Sequence, residues 1–183
     1  MAHVCPWWLG YFLASPIRRL SQNPEKILRP YLAGGMTVLE IGPGMGFFSI
    51  PAARMVGHSG KIICVDVQEK MLKVLFKKAV KARCEDIIET RLCSSASLGI
   101  DDLADKIDFA LAFAVIHEVP DEDELIRQIY PSLKQGGKLL ISEPKGHVGK
   151  NRFEESIARA RNAGFRLIGR PEISRSRSSL FQK

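Results

Sequence analysis

The chain has 183 residues, 45% of them hydrophobic, and a net charge of +7 from 27 Lys and Arg against 20 Asp and Glu. This composition excludes wholesale disorder, and a chain of this length buries about 70% of its unfolded surface without a disulfide or metal staple. One domain with a short terminal extension is expected, and the positive charge is too diffuse to imply nucleic acid by itself.

The segment from Val4 to Ile17 is apolar and aromatic, with Trp7, Trp8, Leu9, Tyr11, Phe12 and Leu13. It is too short for a membrane span and is interrupted by Pro6, Gly10 and Pro16. No basic stretch precedes it, so neither stable membrane insertion nor a secretory signal is expected. We read residues 1–30 as an N-terminal aromatic arm, packed on the domain or acting as a lid over a substrate pocket, and residues 31–183 as the main domain. An interfacial membrane contact is the third reading of the arm.

Asn23-Pro24 opens a helix, with Asn as cap and Pro at the first helical position, expected to run to about Ala33 before Gly34-Gly35. Met36 to Ile41 reads as a buried strand. Gly42-Pro-Gly-Met-Gly46 is a turn into a helix ending near Val56, in which Pro51 is tolerable only early. Lys61 to Asp66 is the second strand. From Gln68 to Arg83, Met71, Leu72, Val74, Leu75, Ala79 and Val80 recur at helical spacing. Strands follow at Ile87 to Cys93 and Lys106 to Phe113, then a helix at Asp121 to Leu133. A fifth strand, Lys138 to Ser142, comes after Gly136-Gly137, and a helix at Asn151 to Ala163 is closed by Gly164. Phe165 to Ile168 and Ser178 to Lys183 are joined by a connection with no room for a helix, which predicts an antiparallel hairpin. Ser174 to Ser179 reads as its turn and an exposed strand edge. The alternation of strand and helix predicts an α/β fold, a mostly parallel sheet with helices on both faces and ligands at the carboxyl ends of the strands.

Cys5, Cys64, Cys84 and Cys93 have no CxxC spacing and no His cluster nearby, so a zinc site is not expected. Cys64 and Cys93 sit in apolar runs and read as reduced core thiols of a cytoplasmic protein.

The strongest chemical signal is Val38-Leu-Glu-Ile-Gly-Pro-Gly-Met-Gly46. Glycines at 42, 44 and 46 let the backbone pass close beneath a ligand and turn into a helix. The sixth position counted from Gly42 is Phe47, so the dinucleotide pattern GxGxxG is broken. Glu40, just before the turn, would repel a pyrophosphate and attract a cationic amino-acid ligand. Asp66, closing the second strand, can accept both hydroxyls of a ribose; its bland alternative is an N-cap for the next helix. The Lys70, Lys73, Lys77, Lys78 and Lys81 face is most simply solvated.

From Glu40-x-Gly42-x-Gly44-x-Gly46, Asp66 and the terminal hairpin, the chain resembles the class I S-adenosylmethionine-dependent methyltransferases over about residues 30–183. The resemblance implies a Rossmann-like sheet of seven strands with an antiparallel last strand, and S-adenosyl-L-methionine lying across strands one, two and four. Glu40 with Gly42, Gly44 and Gly46 would face its methionine part, Asp66 would hold the ribose, and Val67 would pack on the adenine. Ser95, in the Ser94-Ser95-Ala96 loop after strand three, would reach the adenine amine, and Phe113 would line the site at the end of strand four. No metal is implied. After Phe113 the chain lacks the (Asp/Asn)-Pro-Pro-(Tyr/Phe) motif that holds a base amine, and Cys64 and Cys93 lie on strands two and three, so a DNA substrate is not expected. His117-Glu-Val-Pro-Asp121 resembles the His segment of small-molecule methyltransferases, including the quinone-biosynthesis group. It makes His117 a candidate base for a hydroxyl or carbon acid, against a packing or helix-start role. Glu143 and His147, after strand five, are candidates to line an acceptor pocket or to sit in a solvated loop. The function implied is methyl transfer, most simply to a small molecule. RNA or protein acceptors and a non-catalytic binding role are the alternatives, and the oligomeric state stays open.

Overall fold

The computed structural model describes residues 21–183. The aromatic cluster from Trp7 to Leu13, and with it the reading of that arm as a lid, lies outside the described residues. Among the described residues, seven strands and five helices follow in order: α1 (Pro24–Leu28), β1 (Thr37–Ile41), α2 (Ser49–Val56), β2 (Lys61–Asp66), α3 (Glu69–Lys81), β3 (Ile88–Leu92), β4 (Ile107–Phe113), α4 (Glu122–Ser132), β5 (Leu133–Pro144), α5 (Lys150–Asn162), β6 (Arg166–Gly169) and β7 (Ser176–Gln182). Single 3-10 turns stand at Asp101–Leu103 and Ile116–Glu118.

The strands form one sheet in the order β3-β2-β1-β4-β5-β7-β6. Strand β7 is antiparallel to both β5 and β6, and the remaining pairs are parallel. This is the expected Rossmann-like sheet. Its connections run outward from β1 through β2 to β3, then cross back to β4. The connections that follow β1 and β4 therefore leave in opposite directions, which makes the carboxyl ends of these two neighbours the switch point where a ligand is expected.

Side-chain alternation along β1 sorts the two layers. Leu39 and Ile41 face a core built with α4 and α5, including Ile126, Ile129, Phe153 and Ile157. Val38 points to the other layer, with Phe48, Ala52, Leu75 and Ala79 from α2 and α3 and Leu28 from α1. Glu40 shares parity with Val38, which aims a carboxylate at the start of α2.

Local chemistry explains where elements begin and end. Asn23 caps α1 by accepting from the Lys26 N–H at 3.1 Å. The helix stops at Leu28, short of the expected Ala33, where Pro30 has no N–H to donate to the next turn. Just before α1, the buried Gln22 donates to the Ser174 carbonyl and the Ser176 hydroxyl, at 2.9 and 3.0 Å, tying this segment to β7. Asp121 caps α4 by accepting from the Glu124 N–H at 2.9 Å. Strand β5 is longer than expected and starts at Leu133, which pairs with Ile107 before the register shifts. Gly136 at φ +80° and Gly137, where a Cβ would lie 2.8 Å from the Lys134 carbonyl, absorb that irregularity inside the strand rather than preceding it. The final hairpin is present, but the reading of Ser174 to Ser179 as an exposed edge is corrected. Strand β7 begins at Ser176 and is inserted between β5 and β6, so Ser176, Ser178 and Ser179 are buried, and Ser178 hydrogen-bonds Ser142 at 2.9 Å.

Candidate active site

A cavity of about 500 Å³ opens at the carboxyl ends of β1, β2 and β4. One wall is the turn after β1. The Gly42 N–H donates to the Val65 carbonyl at 2.9 Å, tying the turn to β2. Gly42 has φ +64°, and a Cβ there would meet Val115 at 2.6 Å. Gly44 has φ +54° with open space where a Cβ would stand, which leaves the backbone free to approach a ligand. Gly46 serves differently: a Cβ there would press on Leu75 and Ile50, so it lets the turn pack on α2 and α3. Lys78 of α3 donates to the Met45 carbonyl at 2.9 Å and braces the turn from outside.

Two carboxylates stand on this wall. Glu40 is 4% exposed and accepts from the Ser49 hydroxyl at 2.6 Å, with the Cys64 thiol at 3.9 Å. Burial raises its pKa from 4.5 to about 7 against the opposing Ser49 bond, and the charge of Asp66 adds to the rise. Asp66 is buried and accepts from the Gln68 N–H at 2.9 Å. Burial raises its pKa too, opposed by the N–H groups of Gln68, Gly44 and Val67. Gln68 is the N-cap residue of α3 and makes no side-chain cap bond, and Asp66 bonds the backbone just before that helix. Among the described residues, neither carboxylate forms a salt bridge with a Lys or Arg.

The loop after β3 forms the opposite wall. Ser94 accepts from the Ala96 and Ser97 N–H groups at 3.3 and 3.0 Å, and Gln128 of α4 bridges to the Leu98 N–H and the Ala96 carbonyl at 2.7 and 3.0 Å. Ser95 and Cys93 line the cavity here. Burial pushes the Cys93 thiol up to about 11, and Cys64 is raised by burial too, so neither is a ready nucleophile near neutral pH. Val67 is half-exposed into the cavity, and Phe113 closes its floor, its ring 4.4 Å from that of Phe48.

The carboxyl end of β4 leaves the sheet through Ala114, at φ +57°, and turns into Ile116–Glu118. Val115 and Glu118 line the cavity, while His117 is not among the described residues that do. Its ring sits on the adjacent rim, where Nδ1 makes a short contact with Oε2 of Glu143. Nε2 points away from that contact and lies 4.0 Å from Oε1 of Glu118. The His147 ring stands edge-on at 5.6 Å.

The methyltransferase domain family matches residues 32–166, well over half of the chain. The chain belongs to this methyltransferase domain family. A curated Escherichia coli relative, the ubiquinone/menaquinone biosynthesis C-methyltransferase UbiE, is 30% identical over 109 residues, covering 60% of this chain and 43% of the relative. The chain therefore matches less than half of that relative's length. Among solved structures, an S-adenosylmethionine-dependent methyltransferase from Aquifex aeolicus superposes with a TM-score of 0.86 at 24% identity, covering 98% of this chain and 99% of that one. The [4+2]-cyclase SpnF superposes with a TM-score of 0.70 at 21% identity, over 81% of this chain and 59% of the cyclase. Both structural likenesses concern the fold alone.

The site suits S-adenosylmethionine. Buried carboxylates unpaired with cations call for a positively charged or hydroxyl-rich partner, and the gap over Gly44 gives its backbone room. Of the residues expected to hold it, Glu40, Gly42, Gly44, Asp66, Val67, Ser95 and Phe113 line the cavity together. Gly46 and His117 stand outside the lining. Sequence reasoning missed Ser49, Gln128 and the left-handed Ala114. Ser49 had a signal, a hydroxyl in the first turn after the glycine turn; Gln128 and Ala114 had none.

The Glu40 carboxyl generates a stability prediction for the cofactor-free protein. A carboxylate whose pKa rises from 4.5 to about 7 on folding keeps its proton in the native state across that window, so stability falls as pH rises through it. The loss is on the order of 3 kcal/mol at about 1.4 kcal/mol per unit. Glu40→Gln removes the ionisation and keeps a hydrogen-bonding partner for Ser49. Urea unfolding at pH 5 and pH 8 should show the wild type losing more stability than the variant, and equal losses would place the Glu40 proton elsewhere.

Proposed function

We propose that this chain transfers the methyl group of S-adenosylmethionine to a small-molecule acceptor in the cytoplasm, with His117 as the general base. The observation that carries this reading is the meeting of Glu40, Asp66 and the open Gly44 turn on one wall of a single cavity at the sheet's switch point. Glu40 and the glycine turn would face the methionine part, Asp66 would accept the ribose hydroxyls, Val67 and Phe113 would pack on the adenosine, and Ser95 would hydrogen-bond the adenine amine.

When bound, S-adenosylmethionine supplies a methyl group already activated by its sulfonium centre. The chain's own residues then have three tasks: to hold the acceptor in line, to exclude water, and to accept a proton where the acceptor carries one. His117, beside Glu118, would take the last task. Two points favour a small acceptor. The E. coli relative is named for quinone biosynthesis, and the exit of β4 reads Ala114-Val-Ile-His117, without the base-amine motif. Among the described residues no helix is long and apolar enough to cross a membrane.

Asp66→Ala tests the donor site. Loss of charge-assisted hydrogen bonds of about 1.5–3 kcal/mol should weaken S-adenosylmethionine roughly tenfold to a hundredfold in calorimetry, with the circular dichroism spectrum unchanged. An unaltered dissociation constant, or binding of NAD in preference, would remove Asp66 and the donor from this reading.

Methyl-labelled S-adenosylmethionine tests the acceptor class. Incubation with a panel of hydroquinones, phenols and amines should place label in an extractable small product, and transfer should fall steeply in His117→Asn. Label recovered instead in added RNA or protein would contradict the small-molecule reading.

A further inference from the structure

Glu143 is an unusual residue to find at the end of a sheet strand. It is 1% exposed, yet no Lys or Arg among the described residues forms a salt bridge with it. Its partners are instead a loop and a ring. Oε1 accepts from the N–H groups of Val115 and Ile116 at 3.2 and 2.8 Å, and Oε2 contacts Nδ1 of His117. One carboxylate thus holds both the backbone that carries His117 and the imidazole itself. The sequence offered Glu143 as a lining residue of an acceptor pocket, but its burial removes it from that role.

We propose that Glu143 is a positioning residue that fixes the ring orientation and tautomer of His117, leaving Nε2 as the proton-accepting atom at the rim of the cavity. This rests on the reading of His117 as the base. A carboxylate accepts only, so its contact places the imidazole proton on Nδ1 and the lone pair on Nε2. The ring then directs Nε2 toward Glu118, which lines the cavity. In the transfer step the acceptor's proton passes to Nε2. The electron pair it leaves forms the bond to the methyl carbon, and the pair of the breaking carbon–sulfur bond returns to sulfur, giving the neutral thioether. The resulting imidazolium is stabilised by Glu143 and returns its proton to water at the exposed rim.

The charged groups around the ring agree with this arrangement. Besides Glu143 from β5, they are Glu118 in the same turn, Glu122 at the start of α4, and His147 in the loop after β5. Glu122 is itself paired with Arg152 and bonded by Ser156. Arg177 of β7 lies opposite Glu143 in the ladder, but its Nε donates to the Val148 carbonyl at 3.1 Å. The Glu143 bond raises the His117 pKa above 6.5, against the opposing effect of burial.

Imidazole nitrogen chemical shifts of ¹⁵N-His protein saturated with S-adenosylhomocysteine, followed against pH, test the proposal without any acceptor. His117 is assigned by the signals lost in His117→Asn. In the wild type, neutral His117 should carry its proton on Nδ1 and titrate above 6.5. In Glu143→Gln the tautomer should become mixed and the proton affinity should fall by about tenfold or more, one unit of midpoint. S-adenosylhomocysteine affinity should not change. Transfer to whichever panel acceptor the wild type methylates should fall by about 10–100-fold in kcat/KM, as for other groups that orient a functional imidazole. Glu143→Asp, which keeps the charge, should recover part of both effects and substitutes for the amide variant if that fails to fold. A wild-type His117 protonated on Nε2 in its neutral form, or a midpoint unmoved in both variants, would overturn the proposal. Undiminished transfer by His117→Asn would instead overturn the reading of His117 as base, whatever the nitrogen shifts show.

Discussion

A carboxylate buried at the carboxyl end of the central strand is the constraint on which the site depends. Glu40 stands in the layer that β1 shares with α2 and α3, 4% exposed, with a serine and a thiol rather than a cation as partners. Such a group is costly to ionise without compensation. The fold meets that cost only in part, through Ser49. Asp66, one strand away, raises the cost further. Two acids brought together with no cation among the described residues to balance them make a cavity that favours a ligand carrying positive charge and hydroxyl groups. On our reading, the destabilisation of the empty site is recovered when that ligand binds, in keeping with the strain that functional sites store.

The sheet's topology places this wall against the parts that would handle the acceptor. Strands β1 and β4 are neighbours, so the turns that leave them touch: Gly42 has no room for a side chain because Val115 stands there. Val115 and Ile116 are in turn fixed by Glu143 at the end of the next strand. A short mechanical path therefore runs from the glycine turn, through the exit of β4, to the His117 ring. Ala114 in a left-handed conformation is what bends the chain onto that path, and the hydrogen bond from its N–H to the Ser142 carbonyl at 2.7 Å holds the bend.

Much of this was legible in the sequence, for identifiable reasons. Strands such as Ile62 to Val65 are buried on both faces and read as continuous apolar runs, while helix α3 shows its 3.6-residue period directly. The glycine turn and Asp66 were legible because their spacing reflects one strand-helix-strand unit. What the sequence hid depends on contacts between distant segments. Leu133 to Gly137 joins β5 through pairing with β4, across a glycine irregularity that looks like a turn. Ser176 to Ser179 is polar and reads as an edge, yet lies inside the sheet because β7 inserts between β5 and β6. Glu143 looked like a rim residue because nothing local shows that its carboxylate turns inward to the exit of β4. His117 was found as a residue, but its partner was not.

The most direct measurement of the central claim is the proton balance of ligand binding. Calorimetric titration of S-adenosylhomocysteine at pH 7, in buffers of different ionisation enthalpy, gives the number of protons exchanged. A Glu40 carboxyl with a pKa near 7 is about half protonated in the empty site. If the ligand's ammonium group settles against it, binding should release roughly half a proton at pH 7, and the release should vanish in Glu40→Gln. Proton exchange that is absent at pH 7, or unchanged by that substitution, would contradict the claim that this buried carboxylate sets the chemistry of the site.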